Sequence, residues 1–356
     1  MHRGGFTLVE LLVVISIIAL LISILLPSLK GARDQAKRVK CAASMRGSVL
    51  AIATHTSEKK GEFPPSYIYP SDAGGAYDLF NQPLDKPWGY MHWSYFLFSS
   101  GKVNDSSFTC PSMRSSRGGA PRTNPGLLKE NWEAGQIDDG GSESPNPRED
   151  KQAPRMAFTA NAALMPRNKF TLQLVAASSS GGQRVNVLVR DDQLKRPSGT
   201  ILLTEFLDEW KQVGVAAGNG TISKSHRPLH PFWNLSNSFD PYSHQKEVGG
   251  FFYGNPQDPT FGLSPLSDLK DGGAWDSPSY NQMNFVGRHH PGKGRNKIWG
   301  GDADFAYVDG HIESKTAYQT LKHREWGDRF YSIDGKNDVK LHTPLYRQTG
   351  EGPWPE

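Results

Sequence analysis

Four groups of residues in this 356-residue chain have types and spacings that bear on chemistry. The first is Glu10, the lone charge within residues 6–26, FTLVELLVVISIIALLISILL. A carboxylate in so apolar a run is costly unless a cation shares its depth, and the run holds no Lys or Arg. If the chain is cut just before Phe6, the new α-amino group sits at that depth, and the amine of a neighbouring copy can pair with Glu10. The second group is His289, His290, Asp309 and His311, with Asp302 and Asp304 near by in sequence. Imidazole and carboxylate donors suit zinc or another divalent transition metal. Their spacing matches no metal motif, however, and Asp309-Gly310 is equally explained as a turn with a histidine tied to Asp309. The third group is the cysteine pair, Cys41 and Cys110, which lacks the C-x2-C spacing of a zinc ribbon. The fourth is Glu205, Asp208 and Glu209, readable as paired carboxylates for acid–base work on a glycoside or as a solvated acidic stretch. A G-x-S-x-G elbow, H-E-x-x-H, a Walker loop and a dinucleotide fingerprint are all absent, so no enzymatic activity is expected.

The elements that must position these residues follow from composition and periodicity. Forty Lys+Arg stand against 36 Asp+Glu, a formal charge of +4. That is too small an excess for a dedicated nucleic-acid binder, so no nucleic-acid partner is expected. Gly 37 and Pro 25 argue for a folded but loop-rich chain. Residues 6–26, at ~1.5 Å rise each, give a helix of ~31 Å, the thickness of a bilayer's hydrocarbon core. A cleaved secretory signal has a shorter apolar region and a small-x-small site, which Pro27-Ser28-Leu29-Lys30-Gly31 does not offer. Beyond the span, Ala36, Val39, Ala42, Met45, Val49 and Ile52 recur at three or four, one face of a continuing helix. Lys30, Arg33, Lys37, Arg38 and Lys40 fall mostly on other faces. The helix is expected from Phe6 to about Glu58, ending before Gly61 and Pro64-Pro65.

From Phe63 onward the pattern turns to short strands between turn signals. The candidates are Trp93–Phe98, Ala157–Ala160, Phe170–Ala176, Arg184–Val189, Thr200–Glu205, Gly249–Phe252, Asp304–Val308 and His311–Lys315. Residues 112–152 read as an excursion. Residues 210–300 read as long loops with few strands, with Trp88, Trp93, Trp233, Trp275 and Trp299 either anchoring loops or lining a sugar or peptide groove. Asp309-Gly310 predicts a two-residue type I′ hairpin.

The run Gly4-Gly5-Phe6-Thr7-Leu8-Val9-Glu10 resembles the type III leader of prepilins and type II secretion pseudopilins: a short basic leader (here with Arg3), Gly before the cut, a hydrophobic first residue and Glu at mature position five. Pro27 is similar to that family's helix kink. Arg288-His289-His290, the run Phe305–Ile312 with its Asp309-Gly310-His311, Cys41-Ala42-Ala43, Cys110-Pro111-Ser112 and Arg196-Pro197-Ser198 together resemble a bacterial pseudopilin-like group with a C-terminal H-x-D-G signature. The long stretch Gly292–Gly301 departs from that signature.

The resemblance implies cleavage between Gly5 and Phe6 by a prepilin peptidase and methylation of the Phe6 amine. It implies Glu10-dependent assembly with other pseudopilin subunits into a type II secretion or type IV pilus-like filament. It also implies an α+β, pilin-like fold, organised as leader 1–5, transmembrane helix 6–26, helix continuation 27–60 and a β-rich extracytoplasmic domain 61–356. The chain is then single-pass in inner-membrane lipid with its N-terminus cytoplasmic, although the basic residues after the span run against the positive-inside tendency. In an oxidising compartment Cys41 and Cys110 are expected to pair, closing a ~70-residue loop. Calcium is a second metal option, as in major pseudopilins, but Gly301-Asp302-Ala303-Asp304 lacks a recognised calcium-loop spacing. The alternative reading is a membrane-anchored binding module for polysaccharide, metal or nucleic acid, exported by the same route.

Overall fold

The computed structural model describes residues 7–83, 86–101, 103–115, 117–139, 148–168, 184–234, 251–253, 261–269, 282–291, 299–331 and 339–340. Gly5 and Phe6 therefore lie outside the described residues, as do the candidate strand Phe170–Ala176 and Trp275.

One helix, α1 (Leu8–Glu58), dominates the chain, and at 1.5 Å per residue it is about 76 Å long. It starts where Thr7 caps it. The Thr7 hydroxyl accepts from the Glu10 amide at 3.2 Å, and the Glu10 carboxylate accepts from the Thr7 amide at 2.8 Å. This reciprocal pair is a capping box. The helix runs through Pro27 without interruption. It stops where Lys60 and Gly61 take left-handed backbone, the Gly61 amide donating back to the Thr56 carbonyl at 2.8 Å.

Its two halves have different fates. Leu8–Leu29 is apolar and exposed throughout, a segment long enough to cross a membrane. The outer half docks through Cys41, Met45, Ser48, Val49, Ile52, His55 and Thr56. The docked face thus agrees with the sequence stripe at Met45, Val49 and Ile52 but departs from it earlier. Val39 stays 60% exposed, while Arg38 turns toward the body.

The body is mixed α+β. A two-stranded ladder, β1 (Tyr67–Ile68) with β2 (Met91–His92), precedes the short helix α2 (Trp93–Phe98). The sequence reading made Trp93–Phe98 a strand. Aromatic content misled it: the His92 imidazole accepts from the Ser94 amide and caps the turn, and Trp93, Ser94 and Leu97 are buried at helical spacing. Next come β3 (Ala120–Pro121) and β4 (Arg155–Met156), paired antiparallel. The central sheet contains β5 (Phe158–Ala160) and β6 (Ile201–Glu205), then, after β7 (Gly214–Ala217), β8 (Gly220–Ser223), β9 (Phe232–Asn234) and β10 (Phe251–Tyr253), also β11 (Ala303–Tyr307) and β12 (Ile312–Lys315). Its order is β12-β11-β6-β5, antiparallel throughout. β7 and β8 form a hairpin turned at Gly218-Asn219, inside the region read as nearly strandless; Gly-Asn between β-like runs was its available signal. β9, β10 and β13 (Val339–Lys340) make a small mixed sheet, and the short helix α3 (Ala317–Lys322) follows β12.

α1 packs on β11, β6 and α2. Every residue of β6 and β11 is buried, so these two strands carry the core between helix and loops. Arg184–Val189 is extended but pairs only through isolated bridges at Arg184 and near Val189.

The hairpin at Asp309-Gly310 forms, though not as type I′. Gly310 has φ +91°, Asp309 does not share the left-handed region, and the Gly310 amide donates to Tyr307. With Tyr307 N–H donating to the His311 carbonyl, the loop is three residues, Val308-Asp309-Gly310, a type I turn closed by a glycine bulge.

Candidate functional site

Three places carry functional side chains: the tip of α1, the disulfide, and a buried acid–histidine cluster beneath α1. At the tip, Glu10 is exposed along with its apolar neighbours, and within one chain its partner is Thr7. The Thr-x-x-Glu spacing that builds this cap was legible in the sequence and was read only as part of a leader.

Cys41 and Cys110 form a disulfide with Cα atoms 4.6 Å apart, inside the usual range. Both are fully buried. Cys110 follows a turn of 3-10 helix, Asp105–Phe108, rather than ending a strand, and its amide donates to the Gly118 carbonyl. The bridge ties α1 to the loop region that leads into β3.

The cluster forms because the sheet sets two acids opposite one another. Phe305 pairs with Thr204 and Ala306 with Leu203, so Asp304 lies across from Glu205 on the neighbouring strand. Like charges directly opposite in a ladder repel. The His289-His290 pair answers that repulsion. His290 Nε2 donates to Glu205 Oε1 at 2.9 Å and lies 3.9 Å from Asp304 Oδ2; His289 Nε2 lies 3.7 Å from Glu205 Oε2 and 3.9 Å from Cys110 Sγ. The Asp304 amide donates to Glu205 Oε2 at 2.9 Å. From α1, Arg38 donates to Ser314 and to the Pro291 carbonyl, and its Nε lies 3.8 Å from Asp304 Oδ1, which also accepts from Ser314.

Electrostatics follow from this geometry. Burial opposes ionisation of Glu205, but the two imidazoles outweigh it and hold its carboxyl far below the usual range. Burial, then repulsion from Glu205, pushes Asp304 up to about 6. Burial disfavours a charged His289, yet Glu205 wins and raises its pKa.

The four residues grouped in sequence as possible metal ligands are divided by the fold. His289 and His290 belong to the buried cluster. Asp309 and His311 sit at the far end of β11, five residues beyond Asp304 or ~16 Å along an extended strand. There His311 Nδ1 and Asp309 Oδ1 are 2.5 Å apart, and the imidazole stacks on Tyr307 at 4.1 Å. The turn-plus-hydrogen-bond explanation holds for that pair, and the shared ligand set does not form. The long stretch after His290 does no harm to the cluster: His290 and Asp302 exchange both backbone hydrogen bonds at 3.0 Å, pinning its two ends. Glu205 is the residue that sequence reasoning placed in the wrong company, with Asp208 and Glu209. It is fully buried, whereas Asp208 pairs with Arg114 at 2.6 Å. Calcium does not suit Asp302 and Asp304, because Arg38 and imidazoles already crowd them.

Of the tryptophans, Trp93 is buried as the first residue of α2 and Trp299 is buried outside the helices and strands. Trp88 is 43% exposed and lines an open cleft of about 480 Å³ with Tyr95, Phe98, Lys151 and Gln152.

No curated protein and no solved structure is similar to the chain. Residues 1–26 match the family model described as the prokaryotic N-terminal methylation motif. These residues therefore carry a leader of the type IV pilin and pseudopilin kind, which makes the chain a substrate of the prepilin-peptidase type.

Proposed function

We propose that the protein is a non-enzymatic structural subunit, cut before Phe6, N-methylated, and assembled through α1 with other pseudopilin subunits into a type II secretion or type IV pilus-like filament. The carrying observation is the exposed apolar half of α1 with Glu10 at its third helical position. Such a surface needs lipid before assembly and neighbouring helices after it. The N-terminus is cytoplasmic, the span lies in the inner membrane, and the disulfide-bonded body is extracytoplasmic, where oxidation persists.

The capping box suggests a test that separates local from intersubunit roles. Gln serves at the third helical position as well as Glu. Glu10→Gln therefore keeps the cap and removes only the charge, whereas Glu10→Ala loses both. Both variants are expected to insert and both to be excluded from filaments, Glu10→Gln in spite of its intact cap. Normal incorporation of Glu10→Gln refutes charge pairing with the Phe6 amine, and a mature chain still starting at Met1 refutes the processing.

One observation favours the anchored binding module as a second reading. The cleft beside Trp88 is lined by Tyr95, Phe98, Lys151 and Gln152, and Gln152 is a buried side chain whose Oε1 has no hydrogen-bond partner among the described residues. Under that reading Trp88→Ala lowers retention on immobilised polysaccharide. Equal retention of wild type and variant counts against it.

A further inference from the structure

We infer that Glu205, His289, His290 and Asp304 form a binding site for one divalent first-row transition-metal ion, zinc foremost, at the seam between α1 and the central sheet. Three features carry this. First, two carboxylates face each other across β6 and β11 with no water-accessible surface on either, an arrangement that needs cationic charge between them. Arg38 supplies some to Asp304 Oδ1, and the two imidazoles supply the rest in the metal-free chain.

Second, the polar atoms are incompletely satisfied. Asp304 Oδ2 is buried without a hydrogen-bond partner among the described residues; His289 turns its Nε2 to the site, its Nδ1 lying on the other side of the ring. Asp304 Oδ2 nevertheless faces His290 Nε2 at 3.9 Å, and His289 Nε2 faces Glu205 Oε2 at 3.7 Å. These gaps are too long for hydrogen bonds.

Third, the gaps suit ligands of a shared ion. Donors each ~2.1 Å from a tetrahedral zinc stand ~3.4 Å from one another. The spacings 2.9, 3.7 and 3.9 Å straddle that value. Two imidazoles and two carboxylates are donors for zinc, iron, manganese or cobalt rather than magnesium or calcium. The sulfurs of Cys41 and Cys110 also lie within 4.8 Å of the Glu205 and His290 donor atoms, but they are joined to each other and offer no thiolate. Ligation thus falls to His289 and Asp304. On binding, the ion replaces the proton that His290 Nε2 shares with Glu205. Arg38 and Ser314 hold Asp304 Oδ1, leaving Oδ2 free to ligate, an outer-shell arrangement typical of metal sites. The ion would fasten β6, β11 and the 282–291 segment beneath α1.

The test uses the full-length protein in detergent, stripped with chelator, dialysed against excess Zn²⁺ or Co²⁺, and freed of unbound metal. Elemental analysis is expected to find about one ion per chain, the cobalt form to show tetrahedral d–d absorption, and chelation to lower the thermal midpoint. Glu205→Gln and His289→Gln are each expected to lower metal affinity at least 10-fold and abolish the cobalt bands, while Asp309→Asn/His311→Ala leaves both unchanged. If Glu205→Gln does not fold, the chelator-induced shift of the wild type and the His289→Gln titration still decide the matter. No retained metal in the wild type overturns the proposal. So does retention that follows Asp309 and His311 rather than Glu205 and His289.

Discussion

Removing the Cys41–Cys110 bridge tests how the long helix is held to its domain. The bridge closes a loop with a sequence separation of 69 residues. In the chain-entropy model, restricting the unfolded chain over such a loop contributes ~15 cal/mol/K, or about 4 kcal/mol at 25 °C. Both sulfurs are fully buried, so a reductant reaches them slowly, and the Cys41→Ala/Cys110→Ala double variant is the cleaner perturbation. At roughly 2–4 °C per kcal/mol for a domain of a few hundred residues, the thermal midpoint should fall by about 10 °C. Folding should survive, because Met45, Val49 and Ile52 remain buried against the sheet and continue to dock the helix. Circular dichroism of both proteins in the same detergent reads the shift, and mass spectrometry under non-reducing conditions counts free thiols. A shift under 2 °C, or two free thiols in the wild-type protein, refutes a loop-closing bridge that restrains the unfolded chain.

Two other perturbations test the packing and the buried charge. Ile52→Ala, at a fully buried position on the docked face, should cost ~2–5 kcal/mol, whereas Val39→Ala, 60% exposed, should stay within ~0.5 kcal/mol; equal effects in denaturant melts would mean that a different face docks. Asp150 is fully buried, and burial raises its pKa to about 6 even though Asn124 and the Tyr90 amide donate to it. The folded pKa lies above the unfolded value, so the folded state holds the proton more tightly and stability drops as pH rises from about 4 to about 6. Two units correspond to ~3 kcal/mol at most. The stability difference between wild type and Asp150→Asn should change over that window and be flat above it; a difference independent of pH contradicts the assignment.

Legibility in the sequence tracked how local each feature is. The span, the leader and the end of α1 depend on residues within a few turns of each other, and periodicity together with Gly61 sufficed for them. The Asp309-Gly310 hairpin was also local, but its turn type was not. Whether Asp309 joins Gly310 in left-handed backbone is decided by how β11 and β12 meet, and their register leaves a three-residue loop. Trp93–Phe98 shows the opposite failure. Its aromatic residues suit either strand or helix, and the His92 cap with burial of Trp93 and Leu97 settled the choice.

The amino-acid order alone determined that the chain carries a membrane-length helical run with one acid, and that two cysteines were available to pair. It did so because hydrophobic run length, charge count and thiol count need no partner to be read. Only the tertiary structure decided which acid meets which base. Glu205 and Asp304 are 99 residues apart and become neighbours through strand pairing. Once paired there, they draw in His290 and His289 and leave Asp309 and His311 at the far end of the same strand. Side-chain identity lists the groups able to interact, but the sheet register sets the ångström distances on which electrostatics and ligation depend.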